Sequence, residues 1–328
     1  MKMRDVAEKA GVSLTTVSRV LNGFPTVKAD HRERVLQAMA ELQYQPNRLA
    51  SNLRKKKADT IGVVISSIED AHFTHLVRAI ETNAYQQGYR VLLCNTDENI
   101  EKQRSYLEVL AAERVSGVML SATDPASPEI TKILDLGIPL IAFDRAVADP
   151  RADSVTINNI VALRQATEYL IGLGHRQIAL IGGLNNLETG AQRQIGYEIA
   201  MQAAELVPCS VNGYFTVEGG KEAISELLSH PYAPTAVIVA NNQMMIGVLH
   251  VLRQREIRVP EALSLVLIDD PFWAELVEPP LTAFAQPVQQ MAESALQLLR
   301  ERLQEQRQEA SHLIFDFTLR IRSSCQAF

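Results

Sequence analysis

Cysteine is scarce in this chain. Cys94, Cys209 and Cys325 are an odd number, lie far apart, and belong to no CxxC or Cys/His spacing. That excludes a disulfide framework and a structural zinc site, and it fits a reducing cytoplasm. Long apolar runs are missing as well: no stretch reaches the roughly 18 residues of a membrane-spanning helix. The chain opens MKMRDVAEKAG, polar from the start, without the apolar core of a secretory signal. A cytoplasmic protein without membrane contact is expected. Catalytic signatures are absent too: no GxGxxG after a strand pattern, no GxxxxGKS/T, no GxSxG and no HExxH. No nucleophile stands with a base, so neither an enzyme nor a cofactor is expected.

What is there is ordinary globular material, 47% hydrophobic and 21% charged, and 328 residues suggest about two domains. The net charge of −6 taken alone speaks against a nucleic-acid partner, but its distribution points the other way. Residues 1–57 hold twelve Lys and Arg against five Asp and Glu, a surplus of +7, and the remainder carries −13. A basic head on an acidic body is the asymmetry of a phosphate-binding module joined to something else.

The head reads as three short helices. RDVAEKA (4–10) is closed by Gly11, and Ser13 offers an N-cap for LTTVSRVLN, which Asn22-Gly23 ends. On that second helix Val17, Val20 and Leu21 share one face. Leu14, Thr15, Ser18, Arg19 and Asn22 occupy the other, offering hydroxyls, an amide and a guanidinium suited to phosphates and base edges. A third helix over Asp30–Leu42 presents Val35, Met39 and Leu42 for packing. Two short helices around a Gly turn, with a third behind them, make a helix-turn-helix.

The string DVAEKAGVSLTTVSRVLNG, continued by RERVLQAMAELQYQPNRLASNLR, resembles the DNA-binding head of the lactose/purine-repressor family of bacterial transcription regulators. The resemblance makes Leu14, Thr15 and Arg19 the main major-groove readers, with Thr16, Ser18 and Asn22 beside them. It also makes PNRLASNLRKKK a hinge helix that folds when two copies meet over DNA. Ala50 and Leu53 would then enter the minor groove, Leu53 as the wedge that unstacks a base step.

From residue 60 short β-branched runs alternate with helical text: IGVVIS, RVLLCN, GVMLS, PLIAFD and SVTIN, then QIALIGG, AVIVAN and SLVLIDD. Such alternation makes parallel sheets with right-handed crossovers, here two doubly wound lobes. The body thus resembles the periplasmic sugar-binding architecture that the family carries behind its head. The expected organisation is a helix-turn-helix domain over 1–45, a hinge and linker over 46–57, and a two-lobed effector-binding and dimerisation domain over 58–328. Crossings between lobes are expected near 158, 287 and 317. Dimer contacts are expected from the helices around 72–86 and 98–112 and from the second lobe.

Open α/β sheets bind ligands at the C-terminal ends of their strands. Asp144-Arg145, Asn241 and Asp269 stand there, with His72 and Phe73 after the first strand, Arg193 opening a later helix, Phe215 in the second lobe and Gln286 before a crossing. Amides and charges that fix hydroxyls, with aromatics against apolar sugar faces, suit a carbohydrate. Asp144 and Asp269 balance Arg145 and Arg193, favouring a neutral sugar over a dianionic phosphate and leaving a sugar acid open. His175 and Gly182-Gly183 read as structural. Two positions depart from the family pattern: Asn241-Asn242 replaces its Asn-Asp, and His72 stands where it has an aromatic. The combined reading is a ligand-responsive repressor acting as a homodimer on a pseudo-palindromic double-stranded operator. The alternative is a cytoplasmic sugar sensor or sugar-binding protein without DNA activity.

Overall fold

The computed structural model describes residues 3–21, 24, 26–44, 59–231 and 233–328, and the chain forms two compact units, Met1–Ala58 and Asp59–Phe328. In the first, α1 (Met3–Ala10), α2 (Leu14–Leu21) and α3 (Ala29–Glu41) enclose a small core. Val6, Ala7, Ala10, Val17, Val20, Val35 and Ala38 are buried there. Gly11 turns the chain between α1 and α2 at φ +64°, a conformation glycine adopts without the penalty a Cβ brings. Ser13 then caps α2, its Oγ accepting from the Thr16 N–H at 3.1 Å.

The second unit is two lobes. The first contains β1 (Thr60–Ile65), α4 (Ala71–Gln86), β2 (Arg90–Asn95), α5 (Ile100–Ala112), β3 (Gly117–Leu120), α6 (Pro128–Asp135), β4 (Leu140–Asp144) and β5 (Asp153–Ile157). The second contains α7 (Asn159–Gly172), β6 (Ile178–Gly182), α8 (Glu188–Ala203), β7 (Cys209–Asn212) and α9 (Val217–Ser229). It continues through β8 (Ala236–Val239), α10 (Asn242–Gln254), β9 (Ser264–Ile268), a 3-10 turn (Phe272–Glu275) and β10 (Thr282–Ala285). The chain then returns to the first lobe as α11 (Val288–Leu303) and β11 (His312–Phe315), and ends in the second with β12 (Thr318–Arg320). The passages between lobes therefore fall after β5, β10 and β11.

The strand orders are β11-β5-β4-β3-β1-β2 and β12-β10-β9-β8-β6-β7. Every pairing is parallel except β10 with β12. Helices cover both faces of such sheets, so strands such as β4 and β9 are buried along their whole length, as their unbroken apolar runs require. The two lobes repeat one topology, which makes β4 the counterpart of β9. The strand-and-helix alternation foretold this architecture; it did not foretell β7, β10, β11 and β12, each four residues or fewer.

Two buried polar clusters pin the parts that the topology leaves loose. Asp153, 1% exposed, opens β5 and accepts from Arg302 Nε (2.9 Å), Arg307 Nη1 (2.6 Å) and the Ser311 N–H (2.7 Å). It thus fastens the α11–β11 connection to the sheet. In the second lobe His175, also 1% exposed, meets Thr235 Oγ1 at 2.9 Å, Ser264 Oγ at 3.1 Å and the Gln326 carbonyl at 3.1 Å. Its ring stacks on the terminal Phe328. A carbonyl only accepts, so Nε2 carries the proton. The histidine is structural, as its place at a helix-to-strand join suggested.

Burial holds the His175 pKa below its ordinary value against the opposing bond to Gln326. The unfolded chain therefore takes up this proton at a higher pH than the folded one. Stability from His175 is complete above about pH 6.5, the unfolded value, and is lost as pH falls toward the folded value. Melting curves from pH 7.5 to 5.5 should drop less steeply for His175→Gln than for the parent. Parallel slopes would show that the ring is not titrating against the fold.

Candidate functional site

The head presents one solvent-facing surface of α2. Leu14 is 45% exposed, Thr15 and Arg19 are exposed, and Thr16 and Ser18 are partly so, while Val17 and Val20 face the core. Asn22, Ala50 and Leu53 lie outside the described residues. Arg19, four residues after Thr15, stands one turn along the same face, the arrangement by which a helix in a groove reaches successive base edges.

The body's cavity lies between the lobes and measures about 310 Å³. All nine residues expected there line it: His72, Phe73, Asp144, Arg145, Arg193, Phe215, Asn241, Asp269 and Gln286. Asp144 ends β4 with φ +65°, and its counterpart Asp269 follows β9 with φ +83°. Aspartate enters this left-handed region more readily than most residues. Both lobes use the same turn to hold a carboxylate at the cleft.

On the first lobe's side Ser121 Oγ donates to Asp144 Oδ2 at 3.3 Å. Arg145, 5% exposed, lines the cavity but directs its terminal nitrogens to protein acceptors. Its Nη1 and Nη2 donate to the two Glu98 oxygens at 2.9 and 2.5 Å, and Nη1 also reaches the Ala122 carbonyl. Burial opposes the guanidinium's charge, yet Glu98 and Asp144 outweigh it and hold its pKa above the ordinary value. The two-nitrogen fork of Arg145 is thus occupied by Glu98.

On the second lobe's side Arg193 donates from Nε to Asn159 Oδ1 at 2.8 Å and from Nη1 to the Ala240 carbonyl. Gln286 Nε2 donates to Asp269 Oδ1 at 2.6 Å. Phe215 lies across Gly183, where a Cβ would stand 1.8 Å from the ring. The Gly-Gly after β6 is thus a seat for an aromatic and needs no phosphate. His72 and Phe73 meet edge to face at 5.1 Å, and Phe73 meets Phe143 likewise.

Residues that the sequence did not single out hold the lobes together at the rim. Asp70 caps α4 and accepts across the cleft from Asn242 Nδ2 at 2.7 Å and from Asn241 Nδ2 at 3.4 Å. Gln243 Nε2 donates to the Glu69 carbonyl at 2.6 Å, and Glu188 accepts from the Ala146 N–H at 2.9 Å. The departure to Asn241-Asn242 leaves helix capping intact, because Asn241 Oδ1 accepts from the Met244 N–H. An acid at 242 would face the Asp70 carboxylate; an amide pairs with it. Burial, and then the nearby Asp269 carboxylate, push the Asp70 pKa up.

The lining also holds charges that the sequence did not count. Among the described residues, the lining has five carboxylates (Asp70, Asp97, Glu98, Asp144 and Asp269) against two guanidiniums. Asp144 and Asp269 still match Arg145 and Arg193, and of the added acids Glu98 is paired with Arg145 and Asp97 with Lys102. Among the described residues no cluster of His, Cys, Asp and Glu could hold a metal, and no helix is long and apolar enough to cross a membrane.

Comparison with known proteins fits both units. Residues 2–47 match the family of bacterial regulatory proteins, lacI family, and residues 167–325 match the periplasmic binding protein-like domain. The ribose operon repressor of Escherichia coli (strain K12) is 35% identical over 324 residues, covering 96% of this chain and 98% of that one. This chain belongs to the lacI family. Another lacI-family relative, the HTH-type transcriptional repressor PurR of Pasteurella multocida (strain Pm70), is 32% identical and covers 99% of this chain and 98% of its own. Among solved structures the lac repressor dimer bound to operator and the anti-inducer ONPF superposes with TM-score 0.87 at 29% identity. It covers 100% of this chain and 99% of its own. As a lacI-family member this chain is a ligand-responsive, DNA-binding transcription regulator.

Proposed function

We propose that this regulator represses a sugar-utilisation operon in the cytoplasm and that its effector is a neutral sugar held between the lobes. The observation that carries the reading is the cleft itself. It has paired aspartates at the strand ends, amides from Asn241 and Gln286, aromatics from Phe73 and Phe215, and an excess of carboxylate. Carboxylates and amides accept from and donate to hydroxyls, whereas an anionic ligand meets like charge. His72 Nε2 and Gln286 Oε1 are buried at the cavity without a protein partner, and such groups favour a ligand that hydrogen-bonds them. The nine residues named above are the proposed ligand contacts, Arg145 acting through Glu98. No catalytic step is proposed.

The proposed division is a DNA-binding domain over 1–45, a hinge over 46–57 with Ala50 and Leu53 toward the minor groove, and the effector domain over 58–328. Two copies would meet over the α4, β2 and α5 side of the first lobe. Tyr85, Leu92, Leu93, Ile100 and Val109 are apolar and exposed there, more than a solvated face needs. A thermal-shift screen of aldoses, followed by operator titration with each one that raises the melting temperature, tests the effector. A screen in which no neutral sugar shifts the protein, or in which a shifting sugar leaves operator affinity untouched, overturns the reading.

On the DNA side Leu14, Thr15, Thr16, Ser18, Arg19 and Asn22 are the proposed readers. Arg19→Ala should cost about 1–3 kcal/mol on the operator and much less on random duplex. Equal losses on both would make Arg19 a phosphate contact.

A further inference from the structure

Two guanidiniums face a cleft proposed to take a neutral sugar, and neither one offers its fork to the cavity. We infer that Glu98 is a specificity-determining residue: by occupying the Arg145 fork it restricts the effector to neutral ligands and excludes those bearing a carboxylate or phosphate. The inference rests on the neutral-sugar reading and names the side chain that enforces it.

The pair is built in detail. Arg145 is carried by the turn after β4, and both of its terminal nitrogens are spent on Glu98, in the parallel two-bond arrangement that a ligand carboxylate would otherwise take. Its Nε lies 3.4 Å from Asp144 Oδ2, an ionic contact without a hydrogen bond, so it is the two terminal nitrogens that Glu98 takes up. Glu98 is itself fixed: Thr123 Oγ1 donates to its Oε2 at 3.1 Å, and the Thr123 N–H is anchored on Gln103 Oε1 at 2.7 Å. The backbone of Glu98 is left-handed, φ +53°, directly after Asp97 at φ +52°. Glycine or asparagine would adopt that conformation more readily; glutamate adds the reach to Arg145. Of the other lining acids, Asp97 is ion-paired with Lys102, Asp70 is held by amides, and Asp269 is held by Gln286. Arg193 has Nε and Nη1 committed to Asn159 and Ala240, which leaves it a single terminal nitrogen and no two-bond fork for an acid.

Removing the Glu98 charge should free the fork for an incoming acid. The experiment uses the full-length protein, its Glu98→Gln variant, and Glu98→Gln combined with Arg145→Gln. The probes are D-ribose, D-xylose, D-glucose and D-galactose, the aldonic acid of each, and D-ribose 5-phosphate, read by thermal shift and calorimetry. The parent should bind none of the anions. Glu98→Gln should raise the affinity for at least one anion tenfold or more, and the second substitution should abolish that gain. Glu98→Ala repeats the test should the glutamine variant melt early. A parent that binds an acid as tightly as its aldose, or folded variants that reject every anion as the parent does, would overturn the inference. A parent that binds no aldose would sink the neutral-sugar reading alone, because the gain of anion binding is scored separately.

Discussion

Asp153→Ala is expected to lower stability by about 3 kcal/mol, because removing one partner from a buried ion pair strands the others. In a domain of this size that corresponds to a fall of about 6–12 °C in melting temperature. Three donors converge on this carboxylate from α11, from the segment after it and from the residue before β11, and of these Arg307 also reaches the Glu301 carboxylate. Burial pushes the Asp153 carboxyl up, but bonds from Arg307 and Arg302 prevail and hold it below the ordinary range. Its contribution is therefore present above the unfolded value of about 3.9 and lost as pH falls through the lower folded value. Asp153→Asn should recover part of the loss at neutral pH. The exposed neighbour Arg151, paired with Asp135 and Asp149, is the control: Arg151→Gln should move the melting temperature far less. Equal shifts for the two positions would show that the cluster does not staple the lobe.

Arg193→Ala is expected to weaken binding of the sugar identified by thermal shift by about tenfold to a hundredfold. One charge-assisted hydrogen bond contributes roughly 1.5–3 kcal/mol, and each 1.4 kcal/mol is about a factor of ten. Arg193 joins α8 to Asn159, just past the first passage between lobes, and to Ala240 at the end of β8. The substitution therefore removes a cleft group and loosens the frame around it. Arg193→Lys separates the two effects. It keeps the charge but loses the planar fork, so a variant nearly as weak as alanine would assign the loss to geometry. Calorimetry measures the affinity, and unchanged binding in both variants would move the ligand away from α8.

Much of this site was legible because parallel α/β sheets put their chemistry at strand ends. Asp144, Asn241 and Asp269 each follow an apolar run that could only be a buried strand, so their place at the cleft follows from topology. Pairings between lobes and across loops were not legible. Asp70 drew no notice in the sequence, and nothing local says that its second oxygen meets Asn241, 171 residues further on. Glu98 precedes a helix by two residues and is 47 residues from Arg145. Its ion pair takes up the fork of that arginine and adds a carboxylate to the cleft. The missed strands have a different cause. The two-residue pattern needs several alternations to register, and CSVN, TAFA and TLR, four residues or fewer, are too short to supply them.

The lobes interleave along the chain, and that sets the order in which the protein can be completed. β5 waits for its neighbour β11, so that Ser154 meets His312 across 158 residues, and α4 waits for α11 to cover it. A ribosome therefore finishes most of the second lobe while the first still exposes one sheet edge and one helix face. Long-range closures of this kind come late and slowly. A chain halted before residue 312 leaves both lobes open, since β11 belongs to the first sheet and β12 to the second.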